Sequence, residues 1–244
     1  MTRRTRRRLY AATVAAVVGA GAPLWAPALL SRLPAFRVQE VGVVGTRYVP
    51  PDRVAALAAV EPDASVWDDP SRWEARVRSD PLVADARVRR TGAHRIEIRV
   101  TEVQPVALVP TPDLVAVDSA GRVLPLDPSD ADLDLPIVGQ GARVEGGSVT
   151  DARTLELLRV LDRLRSTDPG FVRSASQLVH VSGGVEVFMA DGAYAARVLL
   201  PPASPDSALR RVEAALAARG GRSEVERADA RFDGQVVVAT GGSS

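Results

Sequence analysis

The sequence contains no cysteine and no lysine, and only two of its 244 residues are histidine. Without cysteine the chain can form no disulfide framework, no cysteine-ligated zinc site and no thiol nucleophile. The two histidines, His94 and His180, are too isolated to build a usual histidine metal site. Packing must therefore stabilise the protein, and its 46% hydrophobic residues could fill one large core or two small ones.

Charge is distributed unevenly along the chain. All 31 basic residues are arginine, 30 residues are acidic, and the formal net charge is +1. Five arginines fall within residues 1–8, which contain no acidic residue, so the rest of the chain carries 26 arginines against 30 acids. A nucleic-acid-binding domain is expected to present a basic face. The mildly acidic body therefore predicts that nucleic acid is not a partner.

The inventory for catalysis or metal binding is thin. No Gly-x-Ser-x-Gly motif supplies a strained serine nucleophile. A calcium loop beginning at Asp130 would need glycine at its sixth position and glutamate at its twelfth, but these are Leu135 and Gly141. Asp130 belongs to an acidic run that comprises Asp127, Asp130, Asp132 and Asp134. The sequence therefore predicts no enzyme activity, metal, cofactor or small-molecule substrate.

An uncharged apolar stretch follows the N-terminal arginines. Residues 9–30 would span about 33 Å as an α-helix, enough to cross the hydrocarbon layer of a membrane. The arginines before it place the N-terminus in the cytoplasm and send the rest of the chain outward. A cleaved signal peptide would use Ala20-Gly21-Ala22, but Pro23 is unfavourable directly after a cut. A twin-arginine signal at Arg7-Arg8 and a buried core helix also compete with the membrane anchor.

The clearest β pattern lies in residues 83–107, which we predict to form a hairpin. Apolar residues alternate with polar ones in both arms, which places one face on a core. Thr91-Gly92-Ala93 between the arms offers a residue that tolerates positive φ. The inward residues are predicted to be Ala84, Ala86 and Val88 in the first arm and Ile96, Ile98 and Val100 in the second.

One strand and two helices are predicted before the hairpin. Residues 36–45 alternate as a strand, Pro50-Pro51-Asp52 opens a first helix, and Asp69 followed by Pro70 begins a second. The second helix places Trp73 and Val77 on one face. Two helices packed on a three-stranded sheet would cover the apolar face of the hairpin.

The remainder of the chain predicts an antiparallel-rich mixed sheet with two helices. The first helix, within residues 148–166, is expected to stop at Asp168-Pro169-Gly170, and Ser204-Pro205 caps the second, which ends at Gly220-Gly221. Asp191-Gly192 is a hairpin signal. Strands are predicted between residues 106 and 139, at 178–181, 185–189 and 194–200, and finally at 227–239 with a bend at Gly234.

Four motifs occur in a fixed order behind the apolar stretch. They are Phe36-Arg37-Val38 with Val41-Gly42-Val43-Val44-Gly45; Val100-Thr101-Glu102 with Pro105-Val106-Ala107; Val117-Asp118-Ser119-Ala120-Gly121-Arg122-Val123; and Leu135-Pro136-Ile137-Val138-Gly139. Together these motifs resemble the FtsQ/DivIB family of bacterial cell-division proteins. The resemblance implies a POTRA domain (β-α-α-β-β) followed by an FtsQ-type β domain.

Residues 228–239 resemble the closing strand of the family, where an Asp-x-Arg-aromatic run is typical. In FtsQ this region is an exposed sheet edge to which a segment of FtsB adds as a strand. Arg231 could pair with a partner carboxylate and Phe232 could fill an apolar contact. We therefore expect Arg231→Glu to weaken partner capture and leave the fold intact. The alternative is an edge protected only by charge and by the tail.

The implied partner-binding set is Asp229, Arg231, Phe232, Asp233, Gly234, Val236 and Val238. This chain departs from the family pattern by ending Val236-Val237-Val238-Ala239, without the aromatic residue often found there. The contact made by the partner is therefore expected to be smaller or differently placed.

The resemblance and the residue patterns together predict a single-pass type II membrane protein of α+β class. It would be a non-enzymatic divisome scaffold that binds FtsB and FtsL and links early and late division proteins at the septum. Alternatives are an outer-membrane assembly or secretion component with a POTRA domain, or an exported cell-wall enzyme using the acidic loop or His180. The predicted parts are a cytoplasmic tail (1–8), a transmembrane helix (9–31), a POTRA domain (36–105), an FtsQ-type β domain (106–239) and a flexible tail (240–244).

Overall fold

The computed structural model describes residues 26, 29–129, 131, 133–190, 195–219 and 225–240. The chain divides into two compact units, Met1–Val103 and Gln104–Ser244. Residues 1–8, most of the predicted span at 9–31 and residues 241–244 lie outside the described residues. Within the described residues, no helix is both long enough and apolar enough to cross a membrane.

The first unit is a three-stranded sheet with two α-helices, in the predicted order. The elements are a 3-10 helix Pro34–Phe36, β1 Glu40–Val44, α1 Pro51–Ala58, α2 Ser71–Val77, β2 Val83–Arg90 and β3 Arg95–Glu102. β1 pairs in parallel with β3, and β2 pairs with β3 in the antiparallel sense, so the strand order is β1-β3-β2. The predicted first strand begins later than expected, because Pro34 opens a 3-10 turn at residues 34–36.

The predicted hairpin is present, with one change of facing. Ala86 and Val88 in β2 are buried together with the predicted β3 residues, but Ala84 is exposed. A register shift between Val83 and Asp85 turns Val83 inward instead. The loop closes without a positive φ at Gly92, because the N–H groups of Thr91 and Gly92 both donate to the carbonyl of Arg95.

The second unit contains an eight-stranded mixed sheet, a separate pair of short strands and helices. The elements are β4 Ala107–Pro110, β5 Leu114–Val117, β6 Ile137–Val138, β7 Val144–Glu145, β8 Ser148–Val149, α3 Ala152–Thr167, α4 Pro169–Ser174, β9 Ala175–Val181, β10 Gly184–Met189, β11 Arg197–Leu200, α5 Pro205–Ala218, β12 Val225–Asp229 and β13 Val237–Thr240. The order in the large sheet is β13-β12-β11-β10-β9-β6-β4-β5, and β7 and β8 pair separately. Three neighbouring pairs of the large sheet are parallel and four are antiparallel.

Three helices, not the predicted two, are described in this unit. The expected stop at residues 168–170 instead starts α4, because the Asp168 carboxylate accepts the N–H of Gly170 at 2.7 Å and caps the new helix. This short helix places Phe171 fully in the core. The expected leucines of α3 and the inward residues of α5 are buried, whereas residues 191–192 and 220–221 lie outside the described residues.

The prediction of a single strand at residues 227–239 is wrong. The segment forms two antiparallel strands, β12 and β13, joined by the loop of residues 230–236. Two features end β12 and turn the chain: the N–H of Ala230 donates to Leu199 in β11, and Gly234 has a left-handed φ of 71°. The outermost strand is therefore β13 alone.

Candidate partner-binding edge

β13 is an open edge of the large sheet, whereas the opposite edge is partly covered. Among the described strands, β13 pairs only with β12. At the far edge, the N–H of Leu124 donates to the carbonyl of Ala116 in β5, and Val117 bridges to Val123. Unpaired N–H and C=O groups make an open edge a template for another strand.

Exposed apolar side chains accompany this edge. Phe232 in the loop and Val237 at the start of β13 are each 54% exposed, the highest values among the large hydrophobic residues described in this unit. Asp233, Gly234 and Gln235 between them are also exposed. The edge therefore offers apolar contact beside its free backbone groups.

Two of the predicted contact residues face inward instead. Val236 and Val238 pack against the core, and Val238 lies opposite the fully buried Ala228 across the β12–β13 pair. Directly opposed residues share one face of a sheet, so Val237 points the other way. Sequence reasoning missed Val237 because it treated residues 227–239 as one continuous strand. It therefore gave no sign that the inward and outward positions of β13 are set separately from those of β12.

Asp229 and Arg231 form an internal ion pair that we term the Asp229–Arg231 clamp. Asp229 is only 8% exposed, and its carboxylate accepts from Nε of Arg231 at 2.9 Å and from Nη2 at 2.6 Å. These bonds are the main cause that lowers the pKa of Asp229 and raises the pKa of Arg231. Such a bidentate pair fixes the orientation of both side chains.

The clamp also ties the closing segment to the β9–β10 turn. Nη1 of Arg231 donates to the carbonyl of Ser182 at 2.5 Å. A Cβ on Gly184 would lie 2.6 Å from Cδ of Arg231 and 2.7 Å from the carbonyl oxygen of Leu200, so glycine makes room for the arginine. The expectation that Arg231 lies at the surface is only partly met, because its side chain is 22% exposed and three of its nitrogens donate within the chain.

The other candidate chemical groups have structural partners. Nδ1 of His94 lies 3.3 Å from the carbonyl of Arg37. Nε2 of His180 lies 3.0 Å from a carboxylate oxygen of Glu156, but the geometry of this contact is not that of a hydrogen bond. His180 borders a cavity of about 200 Å³, where the hydroxyl of Thr154 donates to Asp151. Within the described part of the chain, no three histidine or acidic side chains could together hold a metal ion. Asp130 and Asp132 lie outside the described residues.

The family-like motifs have local structural roles. Glu102, 5% exposed, accepts the backbone N–H groups of Arg47, Tyr48 and Val49 at 2.8–3.0 Å. Its carboxylate thus fixes the chain that leads into α1.

The two later motifs position turns against α3. Asp118 accepts the N–H groups of Ala120 and Arg122, each at 2.9 Å. Gly121, with φ 82°, has no space for a side chain because a Cβ there would lie 2.7 Å from Leu155. Gly139, with φ 85°, similarly lies beside Thr154. These motifs therefore identify the fold more directly than they identify a binding site.

Comparison with known proteins gives a match to a domain family and matches to two cell division proteins. A family model described as POTRA domain, FtsQ-type, matches residues 36–102. "Cell division protein FtsQ" of Syntrophotalea carbinolica is 30% identical over 133 residues, which cover 53% of this chain and 47% of the relative. "Cell division protein FtsQ" of Anaeromyxobacter sp. (strain K) is 28% identical over 236 residues, which cover 89% of this chain and 75% of the relative.

The chain thus matches about half of the first relative and three quarters of the second. The longer match includes most of the second unit as well as the first. Together with the β-α-α-β-β order, these matches support assignment of the chain to the FtsQ/DivIB family.

Proposed function

We propose that this chain is a non-enzymatic scaffold of the bacterial divisome. Its relatives are named cell division protein FtsQ, which supports a role in division. In this proposal residues 9–31 anchor the chain in the cytoplasmic membrane, and residues 36–105 and 106–239 form a POTRA domain and an FtsQ-type β domain outside the cytoplasm. The protein would be enriched at the septum, where it links early and late division proteins.

The proposed partners are the division proteins FtsB and FtsL. The observation that carries this part of the proposal is the open β13 edge with Phe232 and Val237 exposed beside it. An extended segment of a partner would pair with the backbone of β13, and its apolar side chains would contact Phe232 and Val237. Arg231 would act indirectly, by holding the loop through the Asp229–Arg231 clamp.

Phe232→Ala in the full chain is expected to lower the affinity for the FtsB–FtsL complex about 30-fold, the effect of a hot-spot residue worth roughly 2 kcal/mol. Because Phe232 is exposed, the free energy of unfolding should stay unchanged. Titration of the detergent-solubilised chain with the labelled complex measures the affinity. Leu114→Ala, an exposed apolar residue on the opposite sheet edge, is the matched control and should bind normally. Equal binding by both variants would contradict the assigned edge.

Proline substitution tests strand addition itself. Neighbouring N–H groups of a strand point to opposite sides, so Val238→Pro and Ala239→Pro remove one inward and one outward donor. Hydrogen exchange of the β12 amides distinguishes the two variants. Loss of the inward donor weakens the pairing with β12 and exposes those amides, whereas loss of the outward donor leaves them protected. The variant with protected β12 amides should fail to capture the complex. Capture at unchanged affinity by that variant would mean that the partner binds without pairing to β13.

The septal location is tested by fluorescence microscopy of dividing cells, in which a fluorescent fusion of the chain should form a band at midcell.

A further inference from the structure

Basic residues collect at one end of the first unit, where the β2–β3 loop meets the chain leading into β1. We propose that this end binds the headgroups of anionic phospholipids. Residues 32–40 and 89–95 contain five arginines and one glutamate, whereas the rest of residues 32–103 contain seven arginines and ten acids. We call this set the basic end: Arg32, Arg37, Arg89, Arg90 and Arg95.

Hydrogen bonds hold the two segments of the basic end together. The carbonyl of His94 accepts the N–H groups of Gln39 at 2.8 Å and Glu40 at 3.1 Å. Nδ1 of His94 lies 3.3 Å from the carbonyl of Arg37. The tip of the hairpin is therefore fixed beside residues 37–40, so arginines that are distant in sequence lie at one end of the sheet.

Four of these five arginines have no ion-pair partner among the described residues. The only ion pair found within the basic end joins Arg95 to Glu40 at 3.0 Å. Arg32, Arg37, Arg89 and Arg90 are exposed, and none of them forms an ion pair within the described part of the chain. Glu97, which lies opposite Arg89 across the strands, pairs with Arg99 instead. Such a surface attracts phosphate groups.

Aromatic side chains lie next to the arginines. The guanidinium carbon of Arg90 is 3.3 Å from the centre of the Trp67 ring, and Trp67 contacts Phe36 edge to face with ring centres 6.1 Å apart. Both rings are half-buried. Tryptophan and arginine favour the headgroup layer, where an apolar body and a polar or charged end are both accommodated.

The position of the basic end along the chain favours lipid over a soluble anion. This step rests on the proposed membrane anchor at residues 9–31. Only five residues lie between Ser31 and Arg37, so the two are at most about 20 Å apart even when the chain is fully extended. Leu29 and Leu33, 54% and 43% exposed, continue the apolar character up to this point. The anchor would therefore keep the basic end against the headgroups that it attracts.

The absence of native cysteine allows a direct test, because one introduced cysteine carries the only label. The matched sites are Ala93 and Ala84, exposed alanines at opposite ends of the same hairpin. Strands of this length separate them by roughly 25 Å. The full chain with Ala93→Cys or Ala84→Cys, spin-labelled, is inserted into nanodiscs of phosphatidylcholine with or without phosphatidylglycerol. Power saturation measures contact of each label with the lipid surface.

We expect phosphatidylglycerol to bring the label at position 93, but not the label at position 84, to the lipid surface. Replacing two unpaired arginines by Arg37→Gln and Arg89→Gln should reduce the docked-to-undocked ratio by roughly 25-fold, about fivefold for each arginine. Arg47→Gln with Arg78→Gln removes the same charge near the other end of the sheet, where Arg78 pairs with Asp85, and should leave the ratio unchanged.

Two further outcomes separate the inference from the proposed anchor. A chain that does not insert into nanodiscs would overturn the anchor and this inference with it. An inserted chain whose position-93 label is equally distant from both lipid surfaces would overturn only the inference, and so would equal losses in the two double variants.

Discussion

Arg231→Glu is expected to destabilise the second unit by about 3 kcal/mol, because it removes the bidentate counter-ion of a buried carboxylate and leaves only the longer contact with Arg227 at 3.8 Å. Asp229 is 8% exposed and would face a second carboxylate in place of the guanidinium. The contact between the closing segment and the carbonyl of Ser182 would be lost as well. Urea unfolding of the full chain in detergent, followed by hydrogen exchange of the β9–β12 amides, measures the change in free energy of unfolding.

The pH dependence of this effect has a defined sign. The pKa of Asp229 lies below its ordinary value of 3.8, so the clamp contributes stability above about pH 4 and loses it as the pH falls through the lowered pKa. In the variant, acid should relieve carboxylate repulsion, so the difference from the parent chain should shrink on acidification. Arg210→Glu reverses an exposed charge on α5 and is the control, expected to cost less than about 1 kcal/mol. Unfolding of Arg231→Glu at the parent midpoint would contradict the structural role of the clamp.

Glu102→Ala is expected to destabilise the first unit by about 4 kcal/mol. The substitution removes the carboxylate that accepts three backbone N–H groups, and a buried donor without an acceptor costs roughly 1–3 kcal/mol. Val49 is buried, so water cannot replace the carboxylate at its N–H without opening the loop before α1. Hydrogen exchange of the amides of residues 47–49 and of α1 should report the loss first.

Glu97→Ala is the control for Glu102→Ala, because it tests whether loss of any acidic residue on β3 destabilises the first unit as much. Glu97 lies on the same strand, but its carboxylate only pairs with Arg99 on an exposed face. Its removal should cost less than about 1 kcal/mol. If the two alanine variants unfold at the same urea concentration, the three N–H bonds to Glu102 contribute little to stability.

Local patterns predicted the first unit well because they act through neighbouring residues. Alternation placed β2 and β3 correctly, and Pro51 and Trp73 lie on helices as expected. The error at Ala84 came from a bulge, which depends on pairing between strands and leaves no mark in the alternation of one strand. The extra helix α4 was missed because Asp-Pro-Gly serves equally as a stop and as a capped start.

For the candidate site, the sequence alone predicted a region but not the placement of each residue in the fold. It identified residues 228–239 as the closing segment, since the Asp-x-Arg-aromatic run and the valines after it are local features. Only the tertiary structure decided that Arg231 binds Asp229 and Ser182, that Val236 and Val238 face the core, and that Val237 faces out. The physical reason is that the partners of Arg231 come from chain segments up to 49 residues apart. Which side chains of β13 point to the core is likewise set by its pairing with β12. Neither the contacts of Arg231 nor this strand pairing can be read from the spacing of residues in the sequence.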